Sequence, residues 1–331
     1  MENKKLHILI QELADKEKFA DMGIASLSFC SNILAVAMEH YSKSMQNGDF
    51  AHMDYLYNNL EIKQSPKLLI DDCNTAEFNY YVVAFLASYN SPSQMTEEEG
   101  RRKIAGYAVG KDYHIVLKQR LGRILSAIKE QIPGATGRCF TDSAPLMERA
   151  IAASCGLGAI GKNGFLISKK AGIKTLICEI ILGIPKGSPS IDEPYIPSKT
   201  YSPFSLCGQC NRCMESCPTG ALYAPGKIDA RRCISYHTIE NRKEEFPANL
   251  PNPHKYIFGC DSCLNACPWN SRNSCGMDEL IDIYPQTMQL LENPKSFLTG
   301  ITKSQFNKIF NASPIGRPGK DKILNTIDSL K

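Results

Sequence analysis

The sequence predicts a mixed α/β fold of the α+β type, in which an N-terminal domain is followed by a small cysteine-rich module. Three observations predict it. Up to about residue 185, apolar residues at helical spacing alternate with short β-branched and aromatic runs. Five prolines then crowd one stretch, at Pro185, Pro189, Pro194, Pro197 and Pro203, and interrupt that pattern. Beyond them, eight of the chain's fourteen cysteines fall between Cys207 and Cys267. The expected organisation is an N-terminal domain over 1–185, a proline-rich linker over 186–204, the module over 205–275 and a short helical C-terminal region over 276–331.

The elements follow in order. Leu6, Leu9, Ile10 and Leu13 recur at helical intervals and predict an amphipathic helix over residues 3 to 17. Met22 to Phe29 alternates as a short strand does, and a helix from Ser31 to Met45 should follow and stop at Asn47-Gly48. MDYLYNNLEIKQSPKLLI reads as a helix broken before Pro66, because the proline ring disfavours the α conformation in the residue ahead of it. Asn79 to Tyr89 has the composition of a buried strand. After an acidic loop at Glu97, Glu98 and Glu99 comes GYAVGKDYHIVLKQRLGRILSAIKEQI, whose second half is a periodic helix ended by Pro133-Gly134. Thr136 to Asp142 reads as a strand, and Pro145 to Cys155 as a helix with Pro145 in its first turn. GFLIS and KTLICEIIL give two more strands. Past the module, Phe306, Ile309 and Phe310, then Ile323, Leu324 and Ile327, predict small helices.

At 331 residues the chain can bury a full core, and its net charge of +4 is compatible with a nucleic-acid partner without demanding one. Its longest apolar runs, such as Tyr80 to Ala87, are less than half a membrane span, so no membrane is expected. The N-terminus has no apolar signal core, and a thiolate-rich site needs reducing conditions. Both point to the cytoplasm.

The cysteines carry the sharpest signal. Cys207-x2-Cys210-x2-Cys213-x3-Cys217-Pro218 is the bacterial ferredoxin run, in which three cysteines hold one 4Fe-4S cluster and the fourth reaches across to another. Cys260-x2-Cys263-x3-Cys267-Pro268 repeats the back end of that run, but Ile257 stands where its first cysteine would be, and Cys233 is the natural replacement. Crossing the Cys-Pro ligands assigns Cys207, Cys210, Cys213 and Cys267 to one cluster and Cys217, Cys233, Cys260 and Cys263 to the other. Zinc also takes C-x2-C pairs, but has no use for this crossed, proline-terminated arrangement. Disulfides would need an oxidising compartment. Two clusters form a ferredoxin-like double-cluster module, which is most simply an electron relay, so an iron-sulfur electron-transfer protein is one reading of the whole chain. Cys30, Cys73, Cys139, Cys155, Cys178 and Cys275 show no ligand spacing and read as small buried residues or spare thiols.

Gly156, Gly158 and Gly161 spell G-x-G-x-x-G, with Glu179 about twenty residues on, as a dinucleotide fingerprint asks. The fingerprint needs a strand directly before its glycines, whereas PLMERAIAASC reads as a helix, so a tight helix-to-strand turn is the better expectation.

TDSAPLMERA, CGLGAIGKN, CGQCNRCMESCPTGAL, ARRCISYHTIE and GCDSCLNACPWN, with GYAVGKDYH upstream, resemble the epoxyqueuosine reductases, cobalamin-dependent iron-sulfur enzymes of queuosine biosynthesis. The resemblance runs from about Met22 to Asn270, and extends more distantly to the reductive dehalogenases. It implies that the N-terminal part is a cobalamin-binding domain, with cobalamin held between it and the module. It also implies reduction of an epoxide to an alkene on the modified anticodon base of a tRNA, fed by an external electron donor such as a ferredoxin or flavodoxin. Asp142 matches the family's proton donor, and to donate near neutral pH its carboxyl would have to be buried beside apolar groups and the corrin face. Read from its position alone, Asp142 would instead cap the Pro145 helix. The resemblance implies that Lys63, Asn163, Ser235 and Asp261, together with Asp142, line the corrin pocket, and each could equally serve a loop or a cap. Asp112-x-His114 comes close to a D-x-H-x-x-G cobalt-ligand motif, but Leu117 replaces the glycine, so His114 reads as an ordinary helix residue. The chain departs from familiar members in lacking a C-terminal helical-repeat domain and in a less basic NASPIGRPGKDKIL stretch, which leaves open a cobalamin-dependent reductase of another small substrate. Arg242 and Lys243 are the nearest candidates for phosphate contacts.

Overall fold

The computed structural model describes residues 6–70, 77–89, 102–188, 202–241, 255–271 and 276–330. Arg242, Lys243, Cys73, Cys275 and most of the proline-rich stretch lie outside the described residues.

The N-terminal helix α1 (Leu6–Lys16) buries Leu6, Leu9, Ile10 and Ala14, the stripe that its spacing marks. Strand β1 (Asp21–Ser26) ends sooner than the alternation suggests, because the Ser26 side chain accepts the Phe29 amide and caps helix α2 (Leu27–Gln46). A side-chain cap supplied by the last strand residue overrode the alternating pattern. The segment that reads as one helix broken at Pro66 is three short pieces: a 3-10 turn at Asp54–Tyr57, helix α3 (Leu60–Gln64) and a second 3-10 turn at Pro66–Leu69.

Strand β2 (Phe78–Ser88) leads to the short β3 (Lys103–Ile104) and to helix α4 (Tyr113–Gln131), capped by Asp112. Strand β4 (Thr136–Phe140) follows, but helix α5 is Glu148–Ser154 and starts three residues later than Pro145, with Met147 at its N-cap position. Asp142 therefore caps no helix. It sits in the connecting loop with φ +46°, in the left-handed region that few residues other than glycine, asparagine and aspartate adopt. The hairpin of β5 (Ala159–Ile160) and β6 (Leu166–Ile167) then precedes β7 (Thr175–Pro185).

The main sheet has the order β1-β2-β7-β4 and is antiparallel throughout. One face is covered by α1 and α4 around Phe85, Leu117, Leu121 and Ile180, the other by α2 and α5 around Leu34, Val82, Ile151 and Ile181. With helices on both faces, β2 and β7 are apolar along nearly their whole length rather than alternating. Glu179 interrupts β7 in the middle of that apolar run.

The module contributes helix α6 (Arg212–Glu215), the β8 (Leu222–Ala224) and β9 (Lys227–Ile228) hairpin, strand β10 (Tyr256–Phe258) and helix α7 (Ser262–Asn265). It is stitched to the N-terminal part by parallel pairing of β10 with β3. Five small helices, α8 (Asp278–Ile281), α9 (Pro285–Glu292), α10 (Pro294–Thr299), α11 (Lys303–Ile309) and α12 (Lys320–Ser329), close the chain. They bury Phe306, Phe310, Ile315 and Ile323 against Ile257 and Phe258 of β10. A bidentate pair from Arg120 to Glu279, at 2.7 and 2.8 Å, ties α8 back to α4.

Candidate active site

The loop after β4 presents Asp142 at the end of the sheet. Its carboxylate accepts a hydrogen bond from the Tyr113 hydroxyl at 2.8 Å, and its backbone N–H donates to Glu148 Oε1 at 2.7 Å. These two bonds hold a residue whose backbone conformation is itself unfavourable. His114 Nε2 lies 3.8 Å from the same carboxylate, and Asp112 Oδ1 fixes the His114 ring through Nδ1 at 2.9 Å. Arg317 completes the group: its guanidinium stacks over the Tyr113 ring 5.3 Å from the centroid and lies against the His114 ring. Burial, and next the Asp142 charge, push the Tyr113 hydroxyl far above its ordinary range, so it remains a donor. The chain by itself does not bury Asp142, whose side chain is 61% exposed. The enclosure expected from apolar neighbours is absent from the protein part of the site.

Tyr113, His114, Glu148 and Arg317 are site residues that sequence reasoning missed. The Asp112-x-His114 spacing was a usable signal for His114. Arg317 had none, since 203 residues separate it from its His114 partner.

In the module, two sets of thiols lie together. Cys213 is pushed up by burial and then by Cys207 and Cys267, and Cys267 by burial and then by Cys207 and Cys210. Cys263 is pushed up by burial and then by Cys260, Cys233 and Cys217. Like charges act on one another only at short range, so the sulfurs form one group of Cys207, Cys210, Cys213 and Cys267 and another of Cys217, Cys233, Cys260 and Cys263. Cys217 is different in sign: burial opposes ionisation, but amide N–H groups of Leu222, Thr219 and Ala221 and the Thr219 hydroxyl outweigh it and lower its pKa. A thiolate held in this way is ready to ligate iron. Among the described residues, no three His, Cys, Asp or Glu side chains converge as they would around one metal ion. Four thiols to a group match the ligand count of a cubane cluster with one thiolate per iron.

The remaining candidates are scattered. Asp261 is 2% exposed and accepts the Gly106 amide at 2.7 Å, binding the module to the N-terminal part. Asn163 donates to the Cys263 carbonyl at 3.5 Å and accepts the Phe165 amide at 3.3 Å, beside the first group of thiols. Lys63 is 4% exposed, and its ammonium donates to the Asn58 carbonyl at 2.5 Å with the Tyr41 ring 5.5 Å away. Desolvation lowers its pKa. Ser235 lies two residues after Cys233 and is half-buried. Asp142 from the sheet end and Glu240 and Asp261 from the module all act on the half-buried Tyr107, and Asp142 and Glu240 on Tyr55. The two parts therefore face each other across these tyrosines, where phenol hydroxyls and carboxyl groups offer partners to an amide-fringed corrin.

The three glycines of the apparent fingerprint are structural. Helix α5, not a strand, precedes them, Gly156 turns the chain with φ +80°, and a Cβ on Gly158 would stand 2.0 Å from the Ile167 carbonyl oxygen.

A mixed α/β domain with an eight-thiol module and a held carboxylate defines an iron-sulfur oxidoreductase. Comparison narrows this. Residues 206–270 match the 4Fe-4S double cluster binding domain, and residues 75–143 match the family described as Epoxyqueuosine reductase QueG, DUF1730. The epoxyqueuosine reductase of Cyclobacterium marinum is 33% identical over 312 residues, 93% of this chain and 91% of that protein. That of Cellulophaga algicola is 32% identical over 335 residues, spanning the whole of both. The chain belongs to the epoxyqueuosine reductase family. The solved epoxyqueuosine reductase of Streptococcus thermophilus superposes with a TM-score of 0.74 at 25% identity, over 98% of this chain and 80% of that one. A crystal structure of an epoxyqueuosine reductase with an epoxyqueuosine-modified tRNA stem loop superposes with a TM-score of 0.77 at 24% identity, over 98% and 80%.

Proposed function

We propose that this protein reduces epoxyqueuosine to queuosine in tRNA, with two 4Fe-4S clusters, a cobalamin and Asp142 as proton donor. The observation that carries the reading is the pairing of two four-thiol groups with a carboxylate held in an unfavourable backbone conformation on the facing part. Cys207, Cys210, Cys213 and Cys267 hold one cluster, and Cys217, Cys233, Cys260 and Cys263 the other. Lys63, Asn163, Ser235 and Asp261 hold the cobalamin with Asp142. When bound, the cobalamin supplies a strongly reducing, nucleophilic metal centre suited to opening an epoxide. Asp142 gives a proton to the opening oxygen, Tyr113 orients its carboxyl, His114 stands 3.8 Å from that carboxyl, and Arg317 packs over Tyr113 and His114.

Electrons come from an external one-electron donor such as a ferredoxin or flavodoxin. In support, the first group of thiols lines a depression together with Lys162, Leu206, Pro268 and Trp269, where a donor could approach. The compartment is the cytoplasm: the described cysteines are all free thiols, and clusters need reducing conditions. Among the described residues no helix is long and apolar enough to cross a membrane.

The test is direct. Reduced protein loaded with iron, sulfide and cobalamin is incubated with tRNA containing epoxyqueuosine, and queuosine is quantified by mass spectrometry after digestion, at low and moderate salt. Queuosine should form, and its rate should fall as salt rises, because each phosphate contact releases counterions. No queuosine at any salt, from fully loaded protein, would move the assignment to reduction of another oxidised small molecule.

A further inference from the structure

Glu179 is 0% exposed in the middle of β7, and neither carboxylate oxygen has a hydrogen-bond partner among the described residues. A bare carboxylate there would cost several kcal/mol, so the group is held as the neutral acid. It stands in register with Phe140 of β4, two residues before Asp142, and with Ala84 of β2, on the sheet face covered by α2 and α5. Glu148 opens α5 over that face and accepts the Asp142 N–H. Three carboxyl groups thus run from the sheet interior to the loop that carries Asp142, and both Glu148 and Asp142 act electrostatically on Glu179. The Arg149 charge favours ionisation of Glu148, but desolvation and the Asp142 charge outweigh it. Arg149 is the nearest base on α5 and spends its guanidinium on the Gly164 carbonyl at 2.6 Å. Two thiols adjoin Glu179, Cys155 after α5 and Cys178, its neighbour in β7, and Cys30 on α2 lies against Cys155. Burial raises all three, so they are neutral as well.

We propose that Glu148 and Glu179 are a proton reserve that reloads Asp142 during the reduction. The inference rests on the proposed reading of the reaction, because the balance requires it. Converting an epoxide to an alkene consumes two electrons and two protons and breaks two C–O bonds, with the oxygen leaving as water. Clusters held by the two thiol groups would supply the electrons singly, from the external donor. Asp142 carries one proton, and the second must reach the same oxygen from elsewhere. Glu148 is pushed up to about 8 by desolvation and then by the Asp142 charge, so it is protonated at neutral pH while still offering Oε1 to the loop amide. As Asp142 gives up its proton, Glu148 replaces it, and Glu179 restores Glu148 once a side-chain rotation brings the two carboxyls into contact. Glu148 and Glu179 are positioning and supply residues, and Asp142 alone meets the substrate.

Two measurements test this. The first does not depend on turnover: infrared difference titration of the cluster-loaded protein should show the carbonyl stretch of a protonated carboxyl disappearing with a midpoint near 8, and Glu148→Gln should remove that transition. The second is the pH profile. Glu148→Gln keeps the acceptor for the Asp142 amide and removes only the proton, so the rate of queuosine formation should fall about tenfold and be restored in part by small weak acids such as imidazolium or formic acid. Glu179→Gln should do the same more weakly. A carboxyl band absent at neutral pH, or Glu148→Gln with wild-type rate and pH profile, would overturn the proposal. If Glu148→Gln lost its clusters, the infrared titration of unsubstituted protein would decide alone. A protein that makes no queuosine but shows the carboxyl titration would refute the reaction and leave the protonated pair standing.

Discussion

The cysteine module and the Asp142 end of the sheet are held together in opposite ways. In the module, helices α6 and α7 have four residues each and the β8 strand three, too short to be stable by their own hydrogen bonding. Its thiols sit on turns and on these two short helices, and around them the apolar packing is a small cluster of Ile167, Ile173 and Leu264, with β10 packing into a larger one. At the Asp142 end, β2 and β7 run for eleven residues each between two helix-covered faces, with Phe85, Leu86 and Ile180 wholly buried. Metal–thiolate bonds therefore act as the core of the first region, and hydrocarbon packing as the core of the second. The module depends on its cofactors for shape. The sheet end depends on them only for chemistry.

That contrast can be broken by three substitutions, taken from the largest expected effect to the smallest. Cys263→Ser should abolish turnover, lower iron from about eight to about four atoms per chain, and expose residues 206–270 to hydrogen exchange while the sheet stays protected. Full iron content in this variant would show that Cys263 is not a cluster ligand. Asp142→Asn should reduce the rate of queuosine formation by about 10² to 10⁴ with iron content and thermal midpoint unchanged, since asparagine also tolerates the left-handed backbone at φ +46°. A variant that lost stability instead would make Asp142 structural. Tyr113→Phe removes one hydrogen bond to a carboxylate, worth about 1.5 to 3 kcal/mol. With the Asp142 side chain 61% exposed, the low end applies, and a roughly tenfold slower single turnover with intact clusters is expected. No change would mean that Tyr113 does not position the donor.

The sequence by itself determined the two four-thiol sets as a spacing pattern, because ferredoxin-type ligands lie within a few residues of one another and turn geometry is local. It also determined the long helix α4 and the two central strands, whose periodicity or β-branched runs extend for ten residues or more. Local competition blurred the shorter elements. A serine cap moved the start of α2, and the loop after β4 delayed α5 and deprived Asp142 of the capping role its position suggested. Only the tertiary structure decided the surroundings of that carboxylate. Tyr113 and His114 come from the first turn of α4, Glu148 from the start of α5 and Arg317 from the C-terminal region. Likewise, Glu179 looked in sequence like the acidic end of a nucleotide fingerprint and is instead a buried acid under Asp142. The physical reason is the same in each case: a metal ligand is recognised by its neighbours along the chain, whereas a proton's affinity is set by desolvation and charge from groups that only folding brings near.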